Sequence, residues 1–327
     1  MEKDLNKLGW IYLKGRFMIL LVAFIFSLIG ALLSSSGGLS VTENIYFINI
    51  RSNISFMSLP LILLFYYRKE DVLSKDIFNV KNIGPMTIFK AFIISYPIMM
   101  IGSYISKQIF AILNLLGIEF IFEPEKFLYD NMASIATVVS TCIVVPILEE
   151  YTFRGIILNI LRKYGDKFAI ITSALLFALM HGNIFQFFTA LTMGLWLSYL
   201  FIKTESLVLT ILMHVLSNSL ALAYGIFEIQ AIINTKIEIG FALIAITIYY
   251  YSGKKYKLDK DIILLENRNM IFFREKSIQK KKDDSEIYLE NINPYRCFYR
   301  QASIKLSLTM DIIIIIMSIL LSIKFIS

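Results

Sequence analysis

Pro146-Ile-Leu-Glu-Glu-Tyr-Thr-Phe-Arg-Gly155 follows an almost wholly apolar or small-residue run, Ala133 to Leu148. It therefore sets two adjacent carboxylates and an arginine inside what reads as a membrane-spanning helix. An ionisable side chain at membrane depth is costly unless it is paired or lines a wet cavity, so it marks a functional site by default. Glu149, Glu150 and Arg154 put three such side chains into six positions. His181 and His214, the only two histidines of the chain, lie at the end and in the middle of apolar runs downstream. With Asn218, these residues read as one site.

The composition supports the membrane reading. The 327 residues are 57% hydrophobic and 17% charged, whereas a soluble domain is about 45–50% apolar and about 25% charged. The mean hydropathy is +0.67. The expected class is all-α: a polytopic membrane protein of about 8–9 transmembrane helices with the site in the bundle core. The formal charge of +7 is then a topology signal facing membrane lipid, not a nucleic-acid surface. Cys142, in an apolar helix, and Cys297, in a basic segment, have no CxxC spacing and read as free thiols. Lys14 and Arg16 precede an apolar run with no small-x-small cleavage site after it, so an uncleaved first span is expected.

The spans follow in order. The first covers Phe17 to Leu33, and the second runs from near Ile48 to Tyr67 with Arg51 and Asn53 interrupting its start. The third covers Met86 to Ile105, and Ile109 to Phe122 reads as a separate re-entrant or interfacial helix. The fourth starts near Met132 and stays helical past the carboxylates to about Leu161. The next three cover Phe168 to Met180, Ile184 to Ile202, and Leu207 to about Tyr224. An eighth runs from about Ile239 to Tyr251 and a last from Ile304 to Ile326. This gives N-terminal transmembrane helices at 1–131, a core at 132–225 and a further helix at 226–252. A charged segment at 253–303, with a β-hairpin suggested at 262–273, leads to the C-terminal helix at 304–327. Basic loops alternate with basic-poor ones, which puts the N-terminus and the 253–303 segment in the cytoplasm.

Depth and face bring the polar residues together. At 1.5 Å rise per residue, Arg154 lies roughly 10 Å and Glu149 roughly 18 Å above Leu161; His181 lies roughly 20 Å above Phe168; His214 and Asn218 lie roughly 12 and 18 Å above Ser206. All fall within the central band of a hydrocarbon core about 30 Å thick. Glu150 and Arg154 are four apart, share a face and can pair; so can His214 and Asn218, and Phe177 and His181. Glu149 and Glu150 are adjacent and point apart, so they should have different jobs.

Two chemistries suit this set. A carboxylate in a low-dielectric pocket can take a proton from water, a histidine can share that water, and a second histidine with an asparagine can donate to a developing oxyanion. That is a peptide hydrolase. Alternatively, two histidines with one or two glutamates can hold zinc with an open position, the ligands coming from different helices because no HExxH is present. Intramembrane charge would also suit an ion- or proton-coupled transporter, whose paired broken helices in two related halves are not seen. A scaffold or immunity protein that binds a peptide without cleaving it is the third reading. Trp196 and Tyr199 read as span or interface aromatics.

Glu149-Glu150-x-x-x-Arg154, Phe177-x-x-x-His181 and His214-x-x-x-Asn218, in that order, resemble the three-motif signature of the CPBP family. These are the CAAX-protease and bacteriocin-processing membrane proteases, also called type II CAAX prenyl endopeptidases or the Abi family. The resemblance covers about residues 130–225. It implies an intramembrane endopeptidase in which Glu149 is the general base, activating water with His181, while His214 and Asn218 line the oxyanion hole. Glu150, Arg154 and Phe177 would support the site. The family was named for a metal, but the resemblance favours a metal-free glutamate mechanism with no cofactor; if zinc is bound, Glu149, His181 and His214 are its ligands. The substrate would be a membrane-associated peptide or protein. The Ile/Lys-rich style suggests a bacterial plasma membrane, where bacteriocin or peptide maturation, or self-immunity, replaces prenyl-protein processing.

Overall fold

Apolar runs of this length fold as helices because hydrocarbon offers backbone groups no partner outside the chain. The computed structural model describes residues 2–37, 41–67, 83–115, 119–120, 135–226, 240 and 293–324. Its helices are α1 (Glu2–Gly37), α2 (Ile45–Tyr67), α3 (Pro85–Leu115), α4 (Ile135–Arg162), α5 (Asp166–Met180), α6 (Ile184–Thr204), α7 (Leu207–Ile226), α8 (Pro294–Tyr299) and α9 (Ala302–Ser322). A two-residue antiparallel pairing of Glu119–Phe120 with Ile323–Lys324 leaves the all-α class unchanged.

Among the described residues, six helices are long and apolar enough to cross a membrane: α1, α2, α3, α4, α6 and α9. The expected count of 8–9 is not reached there. The two helices that carry the histidines are the short ones: α5 has 15 residues, and the apolar part of α7 is Leu207–Ala223. A 15-residue helix rises only about 22 Å, so a side chain at its far end stops short of the opposite membrane face. The expected span at 239–251, the basic loop at 68–81 and the hairpin at 262–273 lie outside the described residues.

Three expectations are corrected. α1 does not begin at Phe17; it is one helix of 36 residues. Leu5, Leu8, Ile11 and Tyr12 recur at helical spacing and are buried, so this flank belongs to the core. Beyond Arg16 the same helix turns Phe17, Phe24, Leu28 and Leu32 outward, the exposed apolar surface expected of a lipid-facing wall. Ile109 does not start a separate helix, because α3 continues unbroken to Leu115. The end of the charged 253–303 segment does more than lead to the last helix: Asn293 caps α8 through its side chain, and Phe298 is buried edge-on against Phe168.

In the largest core cluster of the described residues Leu5, Leu8 and Tyr12 of α1 meet Leu59 and Leu63 of α2, Phe153 and Ile157 of α4, Phe177 of α5 and Ile304 of α9. Polar pairs fix α2 against α4. Asn49 Nδ2 donates to Thr137 Oγ1 at 3.0 Å, and Ser140 Oγ donates to Asn53 Oδ1 at 3.0 Å. Asn49 and Asn53 are four apart and share a face, so Asn53, which reads as an interruption of the second span, serves as one of its contacts.

α5 and α6 form an antiparallel pair, and small residues let the helices approach. A Cβ on Gly194 would lie 3.1 Å from Ala174 Cα. At Gly102 of α3 a Cβ would come within 2.5 Å of Thr189 Cα on α6, a backbone atom that cannot swing away. Gly102→Val is expected to destabilise the protein by about 1–3 kcal/mol through overpacking. The melting midpoint of the purified variant reads this, and an unchanged midpoint would mean that the α3–α6 crossing is loose.

Candidate active site

The carboxylates occupy a short α-helical stretch, Val145–Glu150, between two π-helical segments of α4, Ser140–Val144 and Tyr151–Leu158. π-turns are rare and often mark functional sites. The first has a visible cause. Val145 N–H bonds back to Ser140 O, and the next residue, Pro146, has no N–H to give. Thr141 O is therefore left over, and Asn218 Nδ2 of α7 donates to it at 3.0 Å. In the second wide segment Phe153 O accepts from Ser173 Oγ of α5 at 3.2 Å, and Gly155 O accepts from Asn159 Nδ2 at 2.9 Å.

Glu150 and Arg154 are both 0% exposed. Arg154 Nη1 donates to Glu150 Oε1 at 2.7 Å and Nη2 donates to Gly194 O of α6 at 3.1 Å. The guanidinium also lies 4.6 Å from the Phe177 ring centroid. A buried arginine thus has a carboxylate, a carbonyl and an aromatic face, the compensation that a buried charge requires.

His214 meets both carboxylates. Its Nδ1 lies 2.9 Å from Glu150 Oε1, and its Nε2 lies 3.5 Å from Glu149 Oε2. An ionised Glu150, already paired with Arg154, can only accept, so Nδ1 carries a hydrogen. The other ring nitrogen, Nε2, faces Glu149. The two adjacent carboxylates do have different surroundings: Glu150 is locked by two donors, and Glu149 makes the longer approach to His214.

His181 is half-buried and follows the last residue of α5. Its Nδ1 lies 2.9 Å from Phe177 O. A carbonyl accepts and never donates, so Nδ1 bears the hydrogen and Nε2 presents a lone pair. Gly182, at φ +66°, turns the chain immediately afterwards, and Asn183 caps α6 by accepting from Gln186 N. The Phe177 ring stands edge-on to both imidazoles, with centroids 5.0 Å from His181 and 6.0 Å from His214.

The structure thus joins Glu149, Glu150, Arg154 and His214 directly. Phe177 links them to His181, and Asn218, one turn beyond His214, reaches Thr141 O of the carboxylate helix. Among the described residues no three histidine, cysteine or acidic side chains are grouped as metal ligands. Cys142 is buried.

Residues 131–220 match the family model described as Rce1-like, type II CAAX prenyl endopeptidase Rce1-like. No curated protein and no solved structure matches the chain. The matched segment contains all three motifs, both histidines and the wide-turn helix, and so residues 131–220, under a third of the chain, form an Rce1-like domain.

Proposed function

We propose that this protein is an intramembrane endopeptidase that hydrolyses a membrane-associated peptide or protein with water as nucleophile and no metal. The observation that carries the reading is the single imidazole, His214, set between a locked carboxylate and a less constrained one. Glu150 and Arg154 cancel each other's charge. His214 Nε2 then faces Glu149 Oε2 across 3.5 Å.

In this reading Glu149 takes a proton from water, and His181 Nε2, freed by the bond from Nδ1–H to Phe177 O, accepts the water's other hydrogen and aims it. The hydroxide adds to the scissile carbonyl carbon. The oxyanion that forms accepts from protonated His214 at Nε2 and from the second amide hydrogen of Asn218, whose first is used by Thr141 O. The carbon–nitrogen bond then breaks, and Glu149 returns its proton to the leaving amine. A bacterial plasma membrane, an N-terminus in the cytoplasm, and a role in peptide or bacteriocin maturation or self-immunity complete the proposal.

The test is cleavage of a quenched peptide library by the purified protein in liposomes, with and without a chelator, beside His181→Ala. Wild-type cleavage that survives the chelator and is lost in the variant supports the proposal. Cleavage that the chelator abolishes and zinc restores turns the same side chains into ligands. No cleavage, together with bacteriocin protection that His181→Ala retains, leaves a non-catalytic immunity protein.

A further inference from the structure

A second buried charge cluster lies outside the Rce1-like segment. Arg16 of α1 donates through Nε and Nη2 to Asp311 Oδ1 of α9, at 2.8 and 2.6 Å. Both side chains are buried, although the sequence places Arg16 at the flank of the first span and Asp311 at the start of the last. A pair that only joined α1 to α9 would need nothing more. Here a third nitrogen, Arg16 Nη1, donates to Met180 O at 3.2 Å. One turn earlier on the same face of α1, Tyr12 OH donates to Leu176 O at 3.2 Å.

Those two carbonyls belong to the last turns of α5, where a helix runs out of its own N–H donors. Every carbonyl there has a partner beyond the regular ladder. Phe177 O takes the His181 ring, Ala178 O takes His181 N, Leu179 O takes Gly182 N, and Met180 O takes Arg16. His181 is the residue just past the helix end, the first to be lost if the turn frays. Its ring tautomer depends on Phe177 O staying in place. α9 closes the turn from the other side, since a Cβ on Gly182 would lie 2.9 Å from Ile314 Cγ2.

We propose that Tyr12, Arg16 and Asp311 are positioning residues that clamp the C-terminal turn of α5 and thereby hold the His181 ring in its Nδ1–H form, making α1 and α9 part of the working site. The inference rests on the role given above to His181. Because the chain has only two histidines, 15N-histidine spectra of the full-length protein resolve the tautomer of each, assigned with His214→Gln.

The test variant is Arg16→Met with Asp311→Leu, since replacing a whole buried ion pair by apolar side chains is commonly tolerated. The expected result is a melting midpoint near wild type and His181 signals that leave the single Nδ1–H form for an exchanging mixture. Peptide cleavage is expected to show kcat lower by about 10- to 100-fold, the cost of displacing a catalytic group by an ångström or so, with KM nearly unchanged. A folded double variant with the wild-type His181 spectrum overturns the clamp. If the double variant does not fold, Tyr12→Phe carries the test. It loses one hydroxyl and keeps the ring; displaced His181 signals support the clamp and unchanged signals overturn it. The spectra do not depend on cleavage. If His181→Ala cleaves at the wild-type rate, the proposed protease roles fall, while the spectra still decide the clamp.

Discussion

Glu149→Gln is expected to lower kcat for peptide cleavage by about 10²–10⁴-fold, the range in which a positioned acid–base group contributes, and to leave the melting midpoint nearly unchanged. The asymmetry follows from the surroundings of the two carboxylates. Among the described residues no guanidinium hydrogen-bonds Glu149; its approach to His214 Nε2 is 3.5 Å, longer than a good hydrogen bond. Glutamine keeps its shape and removes only its ability to take a proton. Glu150→Gln should behave differently. Glu150 Oε1 accepts from both Arg154 and His214, so the amide leaves a buried guanidinium without its counter-charge and loosens the His214 ring. Stability and activity should fall together. Initial rates and melting curves on the two variants separate these outcomes. Equal thermal losses in both would show that Glu149 is also structural.

Arg154→Met is expected to destabilise the protein by about 3–5 kcal/mol, the cost of leaving one member of a buried ion pair uncompensated. Glu150 is fully buried and would have to neutralise or unfold its surroundings. Gly194 O would lose its donor, and Phe177 would lose the cation over its face. Native stabilities are only about 5–15 kcal/mol, so a large part of the margin would go. The double variant Arg154→Met with Glu150→Gln should recover part of the loss, because no net charge is then stranded. The measurement is the melting midpoint of all three variants in one detergent. A double variant no more stable than the single would place the cost in lost packing instead.

Much of the helix layout is legible in the sequence. The limits of α4 to α7 agree with the apolar runs to within a few residues, and the contact of Arg154 with Glu150 follows from their spacing of four. Adjacency says that Glu149 and Glu150 point apart; it does not say that one imidazole would meet both, which depends on how α7 crosses α4. Composition also misplaces charge. Arg16 and Asp311 look like flanking residues because each stands at the edge of an apolar run, and their partnership spans nearly the whole chain. Asn53 looks like an interruption of the second span and is one of its contacts. Phe177 reads as packing beside the site; its contact with His181 follows from their spacing of four, whereas its contacts with Arg154 and His214 come only from the crossing of three helices. Pro146 was the one local signal for the first wide turn, because a residue without an N–H forces the helix to regroup its bonds.

That proline also orders events in time. The carbonyl of Thr141 has its donor on α7, 77 residues later in the chain, and an unmet carbonyl in hydrocarbon costs several kcal/mol. While the chain is being made, α4 enters the membrane before Asn218 exists. The helix bearing the carboxylates therefore reaches its final shape only after α7 has docked, and the same docking delivers His214. The defect in one helix and its remedy on another make maturation of the site a late, all-together step, so that a half-made chain in the membrane would carry carboxylates without the imidazole they work with.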